Sequence, residues 1–499
     1  MDPSTQPHLP DRPGHPKEIW ILFVVEMWER FSYYGMRSLL IFYMTKQFLF
    51  GDEKSYAVYG SYAALIYLTP VFGGIIADRL LGYRKAITVG ALLMAAGHFC
   101  MAIQTVPVFY LALSLIIIGS GFFKPNMSTI VGKLYAEGDP RRDGGYTIFY
   151  MGVNVGGALS PIACGIVGEI WGLHWGFTLA GIGMVAGLLI FLSAGKRFET
   201  IAAPPNPDAL KKQVLPAISK EMLIYIGAAV AIVGCWQLIQ MTELVGWVLI
   251  ILGGGMFLGM LTYSLTRESV PRHRLWVALG LTAISVVFWA FFEQAGSSLN
   301  LFADRNVDKT VMGYGVPAPV MQAINPIFII LFGPIFAWGW VALDARKLNP
   351  SIPLKFGLGI VQLGLGFVAL YYGAYISQTN GIVGLSWLVL GYLLHTTGEL
   401  CLSPVGLSMI SKLAPPKMGA MMMGMWYLSI AFAQYAAGLI AQLTGVSEEG
   451  VDAVAEFSAV DTVMVYGSVF GKIAIVAVVV GLLTSVAAPL INRGTHGVK

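Results

Sequence analysis

Apolar residues run along this chain in blocks long enough to cross a bilayer, and short polar turns separate them. Ile473–Ala488 and Ala180–Phe191 contain no charge. A helical span needs about 20 mainly apolar residues, and windows of that length predict fourteen helices. Six cover 18–46, 56–80, 85–105, 107–135, 145–171 and 175–195. Two follow at 220–241 and 244–266, and six more at 274–303, 319–345, 354–376, 384–412, 418–444 and 463–490. The ten-residue alternation of a membrane β-barrel is not seen. Composition agrees: 56% of the 499 residues are hydrophobic and 12% charged, against about 25% charged in soluble domains. Mean hydropathy is +0.71. So little charge could not cover the surface of several soluble domains, and the expected fold class is an all-α polytopic membrane protein.

The net charge of +4 acquires meaning when placed along the chain. With the amino terminus cytoplasmic, inside loops and tails hold 23 of the 31 lysines and arginines; the outside loops hold only Lys46, Lys54, Arg305 and Lys309. Arg30, Arg37, Lys124 and Lys472 fall within spans. An odd number of helices would scramble this bias, so both termini are expected to be cytoplasmic. The organisation reads as a tail over 1–17, an amino-terminal six-helix bundle over 18–195, a linker with two extra helices over 196–273, a carboxyl-terminal six-helix bundle over 274–491, and a tail over 492–499. Two six-helix halves joined by a basic connection are similar to the major facilitator architecture, in which two halves rock about a midplane site. The extra pair, with only Gln237, Gln240 and Glu243 clustered at its outer turn, is expected to pack peripherally.

Several function classes find no support. Cys100, Cys164, Cys235 and Cys401 lie in apolar segments without paired spacing, as core residues do. No metal-ligand cluster, phosphate loop or nucleophile elbow is present, so no enzyme is expected. Met1–Pro16 is polar and proline-rich, unlike a signal peptide.

The informative residues are charges inside spans: Glu26, Glu29, Arg30, Arg37, Lys124, Glu293 and Glu399. Each costs roughly 2.5–3.5 kcal/mol at the bilayer centre on insertion scales, so they need partners or water. Glu26, the adjacent Glu29 and Arg30, Tyr33 and Arg37 follow one another in steps of three or four and share one face of the first helix. A buried ion-pair network that only locks helices together is the structural alternative. Seven charges on four helices favour function, because intramembrane ionisable groups mark substrate and proton paths.

The motifs then become recognisable. Glu26-Met-Trp-Glu29-Arg30-Phe31-Ser-Tyr33-Tyr34-Gly35 resembles the ExxERFxYYG signature of the proton-dependent oligopeptide transporter family. Gly73-Gly74-Ile-Ile-Ala-Asp78-Arg79-Leu-Leu-Gly82-Tyr-Arg84-Lys85 resembles the major facilitator loop motif, and Lys124-Pro125-Asn126 closes a GxGxxKPN. Phe149-Tyr150-Met-Gly-Val153-Asn154-Val-Gly156-Gly157 resembles FYxxINxGS, with Val153 and Gly157 as departures. Phe288-Trp289-Ala-Phe-Phe-Glu293-Gln294, Ser297-Ser298-Leu-Asn300, Gln322-Ala-Ile-Asn325-Pro326 and Gly398-Glu399-Leu-Cys-Leu-Ser403-Pro404 complete the series. The extra helix pair resembles the bacterial branch.

The resemblance implies symport of di- and tripeptides with protons, into the cell across the inner membrane, by alternating access at a central site between the bundles. Protons are the coupling ion, with no cofactor, metal or nucleic acid, and the expected partners are peptides, protons and membrane lipid around a functional monomer. A peptide zwitterion carries an ammonium and a carboxylate about 7–10 Å apart. Glu399 can take the ammonium, while Arg30, Arg37 and Lys124 can take the carboxylate. Asn154 and Asn325 offer a donor and an acceptor to the amide, although helix–helix hydrogen bonding would also use them. Tyr33, Tyr34, Tyr67, Trp289, Trp426 and Tyr427 can line side-chain pockets, and Ser403 belongs to the matched motif. Glu26 and Glu29 beside Arg30 and Lys124, and Glu293 opposite Arg37, form the expected proton-coupling set. When a substrate carboxylate occupies the cations, a glutamate loses its partner and takes a proton. Asp78, Arg79 and Arg84 can form gate contacts at the cytoplasmic end, or act for Arg79 and Arg84 only as topology signals. Two other classes stay open: the same fold carrying another solute, such as nitrate or a non-peptide organic anion, and a channel or scaffold.

Overall fold

The computed structural model describes residues 14–136, 138–216, 218–414, 418–448 and 457–497. Most of the 1–17 tail therefore lies outside the described residues, as do Arg12, Lys417 and Lys499 of the charge count. Among the described residues, eleven helices are long and apolar enough to cross a membrane. Three further long helices, Lys17–Phe42, Tyr83–Cys100 and Leu385–Leu413, account for the other expected spans.

In chain order the helices are α1 (Lys17–Phe42), α2 (Asp52–Leu81), α3 (Tyr83–Cys100), α4 (Val106–Lys133), α5 (Arg142–Trp171), α6 (Leu173–Ser193) and α7 (Lys220–Gln240). They continue with α8 (Thr242–Leu265), α9 (Ser269–Asn306), α10 (Ala318–Ala345), α11 (Ile352–Ile376), α12 (Leu385–Leu413), α13 (Gly419–Gln442) and α14 (Ala459–Arg493). The polar stretch before α7 folds as a short helix, Pro207–Lys211, capped by the Asn206 side chain, and a two-stranded hairpin pairing Gln213–Leu215 with Ile218–Ser219.

Most boundaries fall within a few residues of the apolar blocks; α9 differs at both ends. It starts at Ser269 and ends at Asn306, so Arg305, assigned above to an outside loop, lies on the helix, as do Arg272 and Arg274. For Arg305 the reason is pairing: its guanidinium grips Asp52 with two bonds, Nη1–Oδ2 of 2.7 Å and Nη2–Oδ1 of 2.9 Å, and both side chains are buried. A paired charge tolerates burial that hydropathy alone forbids. α9 is also broken internally, by a 3₁₀ turn over Glu293–Gly296.

Two compact units emerge, and they cut across the covalent bundles. One contains residues 1–36 and 69–237; the other contains 37–68 and 238–499. In the first, α4 is the most enclosed helix, packed on α3, and α6 lies against α3 and α5. Glycine makes one approach possible there: a Cβ on Gly156 of α5 would collide with the Met27 carbonyl and lie 3.0 Å from Arg30 Cβ. In the second unit α11 packs on α12 and α14, α9 on α13, and α10 on α12. The extra helices divide between the units. α7 belongs to the first, where Lys85 meets Glu221 at 2.5 Å and Trp236 donates to the Pro107 carbonyl at 3.1 Å. α8 packs on α13 in the second.

Candidate functional site

The first unit gathers the α1 motif around Arg30. The residue spacing that places Glu26, Arg30 and Tyr33 on one helical face gives Arg30 Nε to Glu26 Oε1 at 2.9 Å and to Glu29 Oε2 at 2.5 Å. All three charged side chains are buried. The Tyr33 ring lies within reach of two cations, Arg30 Cζ at 5.7 Å and Lys124 Nζ at 5.4 Å from its centroid, an arrangement favoured by the negative ring face. Tyr34 meets Tyr33 edge-on at 5.2 Å. Lys124 also acts electrostatically on Glu29, so two glutamates and two cations form one cluster. Asn154 sits apart from these bonds: its Nδ2 donates to Tyr150 O, one turn back on α5, at 2.9 Å.

In the second unit, the predicted site residues fall into two polar groups. In one, Arg37 at the end of α1 reaches Glu293 at the break in α9, Nη2–Oε2 2.5 Å, and donates through Nε to the Tyr59 hydroxyl at 2.8 Å. Around the break the neighbouring polar side chains are hydrogen-bonded. Gln294 donates to Ala437 O at 3.0 Å, Ser298 donates to Gln294 at 2.6 Å, and Asn300 donates to Ser38 O at 3.0 Å. In the other group, Asn325 on α10 donates to Glu399 Oε2 and to Thr396 Oγ1 on α12, each at 3.0 Å. Glu399 is buried and feels the charge of Glu293, which links the two groups. Trp289 lies half-buried one turn before Glu293, its Nε1 without a hydrogen-bond partner among the described residues. Trp426 is buried against Gly406, whereas Ser403 and Tyr67 are half-buried.

The loop motif takes a different form. Ala77–Leu81 is a π-helical turn, closed by Gly82 at φ 76°, where a side chain would be strained and would also strike Pro204. Asp78 bonds the Tyr83 hydroxyl, and Lys133 Nζ stands 4.3 Å over the Tyr83 ring. Arg84 lies against Gly195 and ties the linker through its N–H to Ala202 O at 3.0 Å. Arg79 is exposed, and the ion pairs among the described residues include neither it nor Arg84.

Sequence reasoning did not single out Tyr59, Thr396 or the Asp52–Arg305 pair. Thr396 had a usable signal, three residues before Glu399 on one helix face. Tyr59 and Asp52 had none, because their partners come from helices distant in sequence.

A polytopic helical protein with buried, mutually paired charges on several helices has the make-up of a membrane transporter. Comparison with known proteins specifies which kind. A profile described as "PTR2: POT family" matches residues 84–457. The peptide transporter YePEPT of Yersinia enterocolitica is 36% identical over 449 residues, covering 86% of this chain and 88% of its own. Dipeptide and tripeptide permease B of Salmonella typhimurium is 30% identical over 480 residues, 96% of each chain. A crystal structure of a mutant peptide transporter POT with alafosfalin superposes with a TM-score of 0.84 at 36% identity, over 100% of both chains. The chain belongs to the POT family, and it is a multi-pass membrane transporter of major facilitator type.

Proposed function

We propose that this protein is a symporter of di- and tripeptides with protons, working by alternating access. It imports them across the cell (inner) membrane, with both termini cytoplasmic, as a monomer and with no cofactor beyond the coupling proton. The carrying observation is that each unit holds charges a zwitterion can use: buried Arg30 with half-buried Lys124 in the first, and in the second the Glu399–Asn325 pair for an ammonium and the buried Arg37 for a carboxylate. Each arginine also holds a glutamate, Glu26 and Glu29 by Arg30 and Glu293 by Arg37. A ligand carboxylate competing for such a cation releases a glutamate in a poorly solvated place, where it is stabilised by a proton. Binding and protonation are thereby coupled. One proton moving through about 100 mV supplies roughly 2.3 kcal/mol, which supports accumulation of a neutral peptide on the order of 50-fold. The names of the relatives and the alafosfalin complex support the substrate class.

The purified protein in liposomes with an imposed inward proton gradient should accumulate a labelled dipeptide. It should not accumulate nitrate, which has no use for Glu399. Glu399→Ala should raise KM for the dipeptide by at least about tenfold, the weight of a lost charged hydrogen bond. Nitrate uptake with no peptide uptake would replace the proposal by the anion-carrier reading.

A further inference from the structure

We infer that Thr396 is a positioning residue that fixes which end of the Asn325 amide faces the ligand, so that Asn325 Oδ1 and Glu399 form a two-acceptor seat for an ammonium. The inference rests on the peptide reading above and adds a residue and a polarity to it. Thr396 is fully buried on α12, three residues before Glu399. Its hydroxyl donates its single proton to Tyr392 O, one turn back, at 2.7 Å. The oxygen is then left to face Asn325 as an acceptor. Glu399, when ionised, is also only an acceptor. A group lying 3.0 Å from both must therefore donate to both, and only the NH₂ end of the amide can. Turning the amide would set Oδ1 against two oxygens.

This settles the polarity of Asn325 on chemical grounds. Both amide hydrogens are consumed, and Oδ1 accepts no hydrogen bond from any described residue. An ammonium brings three donors and meets the Glu399 carboxylate and the Asn325 oxygen, both of which accept. Thr396 matters most when Glu399 carries a proton. A protonated carboxyl can donate to Oδ1 as well as accept from Nδ2, so it no longer dictates the orientation, whereas the hydroxyl anchored on Tyr392 still does. Without the hydroxyl the amide turns, presents N–H groups to the ligand ammonium, and repels it.

The test compares the full-length wild type with Thr396→Val and Thr396→Ser in proteoliposomes, using a free-amine dipeptide and its N-acetylated form between pH 5 and 8. Thr396→Val should raise KM for the free-amine dipeptide about tenfold, with the maximal rate within about twofold. Its preference for the free amine over the acetylated peptide should fall by a similar factor, most at the acidic end. Thr396→Ser, which keeps the donor and acceptor, should behave as wild type. Thr396→Ala repeats the measurement should the valine variant fail to fold. A wild type that transports the dipeptide, combined with an unchanged preference in the hydroxyl-less variants, overturns the role of Thr396 alone. So does a serine variant as impaired as the valine. A wild type that transports no dipeptide overturns the peptide reading and this inference together.

Discussion

Glu293 is the residue on which the proposed coupling can be tested most directly. It is buried, 2.5 Å from Arg37, and sits where α9 loses its regular hydrogen bonding. Replacing it with glutamine keeps the shape and removes the titratable group. Glu293→Gln should abolish uptake driven by a proton gradient while leaving peptide counterflow between equal pH on both sides; intact uphill uptake would remove Glu293 from the coupling path. This residue and Glu26, Glu29, Arg30, Lys124 and Glu399 were all legible in the sequence, because a charge in an apolar block stands out without any knowledge of its neighbours. Their partners were less legible. That Arg37 would meet Glu293 could be anticipated from the family motif, whereas the Tyr59 hydroxyl at 2.8 Å and the Thr396 hydroxyl at 3.0 Å could not. A tyrosine or threonine in a membrane helix has no distinguishing mark until the fold shows what it faces.

Helices are positioned by small residues as much as by charges. The α1 cluster depends on α5 lying close enough to support Arg30, and Gly156 provides that closeness by carrying no Cβ. Gly156→Val should push α5 away from Met27 and Arg30, costing about 1–3 kcal/mol through overpacking. Thermal unfolding in detergent should show a lower midpoint, and dipeptide uptake should fall with it. An unchanged midpoint would mean that α5 can shift without cost. The periodicity of apolar blocks revealed where the helices are, but not that α9 breaks at Glu293–Gly296. Hydropathy averages over a window, and a four-residue turn whose Glu293 and Gln294 are bonded to Arg37 and to Ala437 O leaves that average almost unchanged.

For the molecule as a whole, the consequential finding is that residues 37–68 group with 238–499. The Asp52–Arg305 pair belongs to that unit and is reinforced by Ser447 Oγ, which donates to Asp52 at 2.8 Å, and by Tyr466 Oη, 2.8 Å from Arg305 Nη1. Arg305→Ala would leave a buried carboxylate without its counter-ion and should destabilise the fold by about 3–5 kcal/mol. Removing Asp52 as well should restore much of the loss, read as the thermal midpoints of the single and double variants. Equal midpoints for all of them would show the pair to be solvated. Sequence alone determined the class of structure, since only helices and closed barrels satisfy every backbone group in lipid and the apolar blocks here have the length of helices. It also determined the charged residues, since ionisable groups are too costly there to be incidental. Tertiary structure decided which of those charges share a partner, which glycines let helices touch, and how the first hairpin is divided between two compact units. Those outcomes depend on contacts between segments separated by hundreds of residues, and no local pattern along the chain encodes them.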